Sequence, residues 1–207
     1  MTMRRPTRGM ARRASGDSSG RFRLTGAIPL LTSLLTISLA LMVPAFPAPA
    51  QTPDSNEYRL KLAFLYNFAQ FVQWPEDSFR DSTAPLVICV AGENPFQGDI
   101  EASLQGRTVR GHPLQLRGLR LDDDPRNCQM VFVRAGERKD LAKILASSKG
   151  SNVLTVGEAR GFAESGGIIN LTREANKLRF EVNINAAAQS RLKLSSKLLA
   201  LARIVGE

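Results

Sequence analysis

The spacing of apolar residues between positions 57 and 75 predicts an amphipathic helix. In the segment EYRLKLAFLYNFAQFVQWP, apolar side chains recur every three or four positions, which gives a helix one broad apolar face. That face comprises Leu60, Phe64, Leu65, Phe68, Phe71 and Val72. Pro75 disfavours helical backbone at the preceding residue, so we expect the helix to end near Trp74. A face of this kind is typical of a helix that packs against a core.

The rest of the chain alternates short apolar runs with helical patterns. The apolar runs predict strands at residues 86–91, 108–109, 114–116, 129–133, 153–156, 168–171 and 178–184. Helical patterns cover residues 137–147 and 186–204, and Asn94-Pro95 is typical of the start of a short helix. A turn at Ala175-Asn176 predicts that the last two strands form a hairpin. We therefore expect a single α/β domain with a mixed, mostly parallel sheet and helices on both faces.

The net charge of the chain is concentrated at its N-terminal end. The formal charge of +9 would suggest a nucleic-acid-binding protein, but residues 1–50 hold seven arginines and one aspartate. The remaining residues carry 21 basic and 18 acidic side chains, a net charge of only +3. They contain no long basic stripe with interleaved aromatic residues, so we expect no nucleic acid as a partner.

Residues 1–50 have the three parts of a signal peptide. An arginine-rich stretch reaches Arg23, an apolar stretch of 17 residues covers positions 27–43, and Ala48 and Ala50 fit the small-x-small pattern before a cleavage site. We expect export to the periplasm, with residues 51–56 as a flexible tail and residues 57–207 as the folded domain. Translation could also begin at Met10. An uncleaved membrane anchor is the alternative, although a bilayer span needs about 20 apolar residues.

The chain has two cysteines, Cys89 and Cys128. Cys89 lies within one predicted buried strand, and Cys128 directly precedes another. In an exported chain an even number of cysteines favours a disulfide. Two buried free thiols, or a redox or metal site, remain the alternatives.

Residues that could carry catalysis are sparse. His112 is the sole histidine, and its surroundings, Arg110-Gly111-His112-Pro113, are typical of an exposed turn or strand edge. The acidic run at residues 122–124 is typical of a solvated turn, and the glycines between residues 157 and 167 lack the spacing of a nucleotide-binding loop. We expect neither an enzyme nor a bound metal or cofactor. A hydrolase with a dispersed site that includes His112 is a rival hypothesis.

Three segments resemble the YfiR family of periplasmic proteins. They are Lys61 with FLYNFAQFVQWP at residues 64–75, NVLTVGEARGFAESGGIINL at residues 152–171, and KLRFEVNIN at residues 177–185. The resemblance covers about residues 57–205, and family members also carry a matching cysteine pair. It implies a repressor that binds the periplasmic sensor part of an inner-membrane diguanylate cyclase. An outer-membrane or peptidoglycan-linked protein would sequester the repressor, and cyclic-di-GMP and biofilm formation would then rise.

The resemblance also implies where a partner binds. It points to a C-terminal patch formed by Ile169, Glu181, Asn183 and Ala187. We expect Glu181 on the exposed face of its strand, opposite Phe180 and Val182. A sensor kinase as the partner, a small-solute-binding function and a homodimer are further hypotheses.

Overall fold

The computed structural model describes residues 55–206, with the exception of residues 97, 121, 137 and 176. The predicted signal peptide and residues 51–54 of the predicted tail lie outside the described residues. The other two tail positions, Ser55 and Asn56, belong to the first helix. No helix in this described part of the chain has the length and apolarity to cross a membrane.

Helices and strands alternate through most of the described residues. The helices are α1 (Ser55–Phe71), α2 (Asp99–Ala102), α3 (Arg138–Ser148), α4 (Ile184–Gln189) and α5 (Ser196–Leu199). The strands are β1 (Val72–Gln73), β2 (Leu86–Ala91), β3 (Thr108–Val109), β4 (His112–Leu119), β5 (Met130–Val133), β6 (Leu154–Gly157), β7 (Ile169–Glu174), β8 (Lys177–Asn183), β9 (Lys193–Leu194) and β10 (Arg203–Val205).

Eight strands form one mixed sheet in the order β10-β8-β7-β6-β5-β2-β4-β3. Five of its seven strand pairs are parallel, whereas β7–β8 and β3–β4 are antiparallel. The predicted hairpin is the β7–β8 pair, with Leu171 opposite Phe180. β1 and β9 pair separately in a small antiparallel ladder. The predicted fold class, a mostly parallel α/β sheet, is confirmed.

Apolar clusters lie on both faces of the sheet. On one face, Phe68 of α1 packs against Phe180 of β8, with ring centroids 5.1 Å apart. On the other face, Ile144 of α3 joins a cluster that includes Val131 and Phe162. The alternation of side chains along the strands therefore supplies both helical layers with apolar partners.

The first helix is rotated relative to its predicted apolar face, and it ends earlier. Leu60 is 47% exposed, while Tyr58, Leu62 and Ala69 are buried beside the predicted Leu65, Phe68 and Val72. The helix ends at Phe71 because Val72 pairs with Leu194 of β9. Trp74 Nε1 donates a hydrogen bond to the Gln129 carbonyl, 3.0 Å away, which holds the chain in its extended course.

The predicted final helix at residues 186–204 is wrong. The segment contains two short helices, α4 and α5, separated by β9 and followed by β10. Arg191 has a positive φ of 57°, which stops the first helix, and the Ser195 hydroxyl accepts from Leu198 N–H to start the second. The pairing of β9 with β1 favours the interruption of the helix between α4 and α5. Helical periodicity in the sequence does not reveal this interruption.

The short helix predicted from Asn94 is also displaced. Asn94 Oδ1 accepts a hydrogen bond from Phe96 N–H, so its side chain caps a turn. The helix itself, α2, begins at Asp99. The asparagine signal therefore marks a local turn several residues before the helix.

Candidate functional site

All four residues of the predicted partner-binding patch are buried. Ile169, Glu181, Asn183 and Ala187 are exposed by 0%, 4%, 7% and 2%. The side chains of Phe180 and Val182 point to one face of the sheet and that of Glu181 points to the other, as strand alternation requires. The expectation that the Glu181 face is exposed is wrong, because Glu181 is buried. On this face Asn170 and Arg203 contact Glu181, and Ala163 of the segment before β7 contacts Asn183. These residues can therefore affect a surface only through the exposed residues and segments that they contact.

Glu181 links three adjacent strands. Its Oε2 accepts a hydrogen bond from Asn170 Nδ2 of β7 at 3.0 Å, and its Oε1 pairs with the Arg203 guanidinium of β10. Arg203 also stands opposite Glu181 in the parallel β8–β10 register. The Arg203 side chain is 62% exposed, whereas that of Glu181 is 5% exposed. The pair thus fastens an edge strand to the sheet and presents one cation to solvent.

Asn183 joins α4 to the segment between β6 and β7. Its Oδ1 accepts from Ala186 N–H at 2.9 Å and so caps α4. Its Nδ2 donates to the Ala163 carbonyl at 2.8 Å. Gly206 leaves room for this side chain, because a Cβ there would lie 2.6 Å from Nδ2. Both hydrogen-bonding groups of the buried amide are therefore used for positioning.

A buried phenylalanine explains the glycines of residues 157–167. Phe162 is fully buried, and its ring lies directly against Gly157 and Gly167. A Cβ at Gly157 would approach the ring within 2.3 Å, and a Cβ at Gly167 within 2.1 Å. The two glycines therefore allow the ring to pack on the sheet, and no ligand is needed to account for them.

An open groove lies beside these residues. It separates α3 from residues 158–168 and from α4, has a volume of about 890 Å³, and is called the α3 groove below. Its α3 wall consists of Leu141, Ala142, Leu145 and Ala146. Its opposite wall includes Gly161, Glu164, Ser165 and Gly166, with Ile168 and Ala186 nearby. Since Asn183 ties Ala163 to the start of α4, the predicted patch holds two parts of this wall together.

Two basic residues mark the ends of the α3 groove. Arg160 follows β6 at the carboxyl ends of the strands, and Lys149 follows the last residue of α3. Both side chains are exposed, and neither forms an ion pair with another described residue. Ser148 is another lining residue, and its buried hydroxyl has no hydrogen-bond partner among the described residues. The predictions missed this groove, since its walls meet only in the folded chain.

A charged cluster ties α1 to the carboxyl ends of the strands. Buried Lys61 pairs with Glu158, which follows β6, at 2.5 Å and with Glu57 at 2.6 Å. Burial acts to lower the pKa of Lys61, but the hydrogen bonds to Glu158 and Glu57 outweigh it and raise the pKa. Burial and the nearby Glu158 raise the pKa of Tyr58, whose hydroxyl donates to Glu158 at 3.3 Å. The cluster is paired internally and serves as an anchor.

The two cysteines form a disulfide. Cys89 of β2 and Cys128, two residues before β5, are both buried, and their Cα atoms are 5.9 Å apart. That separation is within the usual range for a disulfide. The bond joins the regions of two parallel neighbours in the centre of the sheet. The pairing favoured by the even cysteine count is the one observed.

Other residues considered for chemistry have structural contacts. His112 is half-buried, where an exposed position was expected; its Nδ1 lies 2.7 Å from the Ala84 carbonyl, and its ring stacks on Phe79. Asp122 pairs with Lys143, and Asp124 caps the turn that contains Arg126. Hydrogen bonds from these two cations lower the pKa of each carboxyl. The described residues contain no cluster of three or more His, Cys, Asp or Glu side chains suited to a metal ion.

The chain also matches the model of a known protein family. The model of the family described as YfiR/HmsC-like matches residues 58–203. The match begins in α1 and ends at the first residue of β10. It includes Lys61 and Glu158 of the charged cluster, both cysteines, Phe162 and the residues that line the α3 groove, whereas Glu57 lies just outside it. The chain belongs to the YfiR/HmsC-like family.

Proposed function

We propose that this protein is a periplasmic regulator that binds the periplasmic sensor part of an inner-membrane diguanylate cyclase and represses it. The observation that carries the proposal is the family match across residues 58–203, which includes seven of the eight strands of the large sheet and the first residue of β10. Export is supported by the signal-peptide pattern of residues 1–50 and fits a buried disulfide, since such bonds persist in oxidising compartments. The protein acts by binding, without catalysis of its own.

Repression requires the regulator to prefer the inactive state of the cyclase. A ligand shifts a two-state equilibrium only through its difference in affinity for the two states. To move that equilibrium from 1:99 to 99:1, the difference must be about 5.5 kcal/mol. An outer-membrane or peptidoglycan-linked protein that competes for the regulator would reverse the shift, and cyclic-di-GMP and biofilm formation would rise.

The buried patch contributes to this function indirectly. Ile169 and Ala187 pack in the core, Glu181 holds the exposed Arg203, and Asn183 positions the start of α4. We propose that these four residues maintain the surface that the cyclase contacts. Substitutions among them are therefore expected to alter repression together with stability.

The proposal is tested in cells that export the protein with its own leader. Deletion of the chain should raise cyclic-di-GMP, and cross-linking in the intact envelope should recover a membrane protein with a cytoplasmic cyclase domain. A chain without residues 1–50, retained in the cytoplasm, is the matched control and should leave cyclic-di-GMP high. Recovery of a sensor kinase, with cyclic-di-GMP unchanged, would replace the cyclase with a kinase as the regulated partner.

A further inference from the structure

The α3 groove occupies a place that a crossover helix usually covers. Parallel strands in α/β sheets are commonly joined by a helix that lies on the sheet. β5 and β6 follow this rule through α3, whereas residues 158–168 join β6 to β7 through turns. Phe162 covers the sheet locally, and the space beside α3 stays open. A helix bound in the groove would therefore lie on the large sheet and beside α3.

The length and lining of the α3 groove fit about two turns of a helix. The part of α3 that lines the groove runs from Leu141 to Ser148, which is about 12 Å along the helix axis. The side chains of Leu141, Ala142, Leu145 and Ala146 recur at helical spacing along that wall. Two alanines leave room for larger side chains from a partner. Amphipathic helices bind such grooves through apolar residues at the same spacing.

The polar groups of the groove indicate the charge of the occupant. Lys149 and Arg160 lie at opposite ends without carboxylate partners among the described residues. Glu164 is the one acidic residue among the described lining residues, so two basic residues and one acidic residue leave the lining with a net charge of +1. Acidic side chains in the first and last turns of a helix would complement the two basic ends.

We propose that the α3 groove docks an amphipathic helix of the regulated partner, with its apolar stripe on α3 and acidic residues facing Lys149 and Arg160. This inference rests on the proposed function for the identity of the partner, which would supply the helix from its periplasmic part. The groove then is the contact surface that Asn183 maintains through Ala163 and α4.

A labelled synthetic peptide tests the groove directly. The probe is a helical peptide of about 15 residues with leucines at every third or fourth position and glutamates in its first and last turns. Fluorescence anisotropy should show binding to the purified, oxidised protein. Ala146→Trp fills the groove and should weaken binding at least about tenfold. Ser147→Trp is the matched control, since Ser147 is exposed on α3 but is not part of the groove lining, and it should bind normally.

Charge reversal tests the ends of the groove. Lys149→Glu should weaken binding of the acidic peptide several-fold, and Lys197→Glu, an exposed control on α5, should not. A peptide with lysines in place of the glutamates should show the opposite preference. The proposal is overturned if wild type does not bind the acidic peptide, or if Ala146→Trp with an unchanged melting temperature binds it as tightly as Ser147→Trp.

The same variants in cells separate the groove from the proposed function. Cyclic-di-GMP that rises with Ala146→Trp but not with Ser147→Trp supports both. If deletion of the chain raises cyclic-di-GMP but Ala146→Trp represses normally, the groove proposal fails and the regulatory function stands. If deletion changes nothing while peptide binding depends on Ala146, the groove is a docking site and the diguanylate cyclase is the wrong partner.

Discussion

Replacement of Glu181 by lysine should destabilise the fold through one defined set of contacts. The substitution removes the acceptor of the Asn170 hydrogen bond, breaks the pair with Arg203, and places a second cation beside that arginine. Removal of one partner from a buried ion pair costs about 3–5 kcal/mol. Because the Arg203 side chain is 62% exposed, water compensates part of its loss, and we expect about 3 kcal/mol.

Urea unfolding of the oxidised protein, followed by circular dichroism, measures this change. A loss of about 3 kcal/mol corresponds to a fall in melting temperature of roughly 6–12 °C for a domain of this size. Glu181→Gln keeps an acceptor for Asn170 and should lose less stability. Glu101→Lys makes the same charge change at an exposed position and should leave stability nearly unaltered. If Glu181→Lys unfolds at the same urea concentration as Glu101→Lys, the assigned role of Glu181 in joining the three strands is wrong.

Three further predictions follow from other buried contacts. Gly167→Ala should lower the melting temperature because its Cβ would overlap a buried aromatic ring, whereas Gly118→Ala, which has open space, should be tolerated. Replacement of both Cys89 and Cys128 by serine should cost about 4 kcal/mol in unfolding free energy, as expected for a 39-residue separation; an unchanged value would contradict this estimate. The raised pKa of Lys61 should stabilise the folded state below about pH 10, and this stabilisation should be lost as pH rises through the folded-state pKa. In Lys61→Met, the free energy of unfolding should not show this loss at alkaline pH. Equal dependence of the unfolding free energy on pH in the two proteins would refute the assignment.

Much of the architecture could be predicted because strong local patterns coincide with tertiary contacts. The run at residues 86–91 is buried on both faces, and it forms β2 with the predicted bounds. The turn after β7 produces the predicted hairpin. In both cases the same residues that favour a strand also find apolar neighbours, so local preference and packing agree.

Prediction was least successful where distant segments compete with a local pattern. The helical periodicity of residues 186–204 is broken by the pairing of β9 with β1, more than 100 residues away in the chain. The burial of Glu181 depends in the same way on Asn170 and on the edge strand β10. Alternation correctly places Glu181 opposite Phe180, but it does not reveal whether another segment covers that face.

The sequence by itself determined the α/β pattern, the family and the signal-peptide pattern, because each depends on residue types at fixed local spacing. It favoured a disulfide between the two cysteines, and the structure places them within bonding distance. Only the tertiary structure decided that the predicted binding patch is buried, that Phe162 lies between two glycines, and that an open groove runs along α3. These features arise where segments far apart in the chain meet. Burial and surface shape depend on contacts between distant segments, so the pattern of a single segment does not predict them.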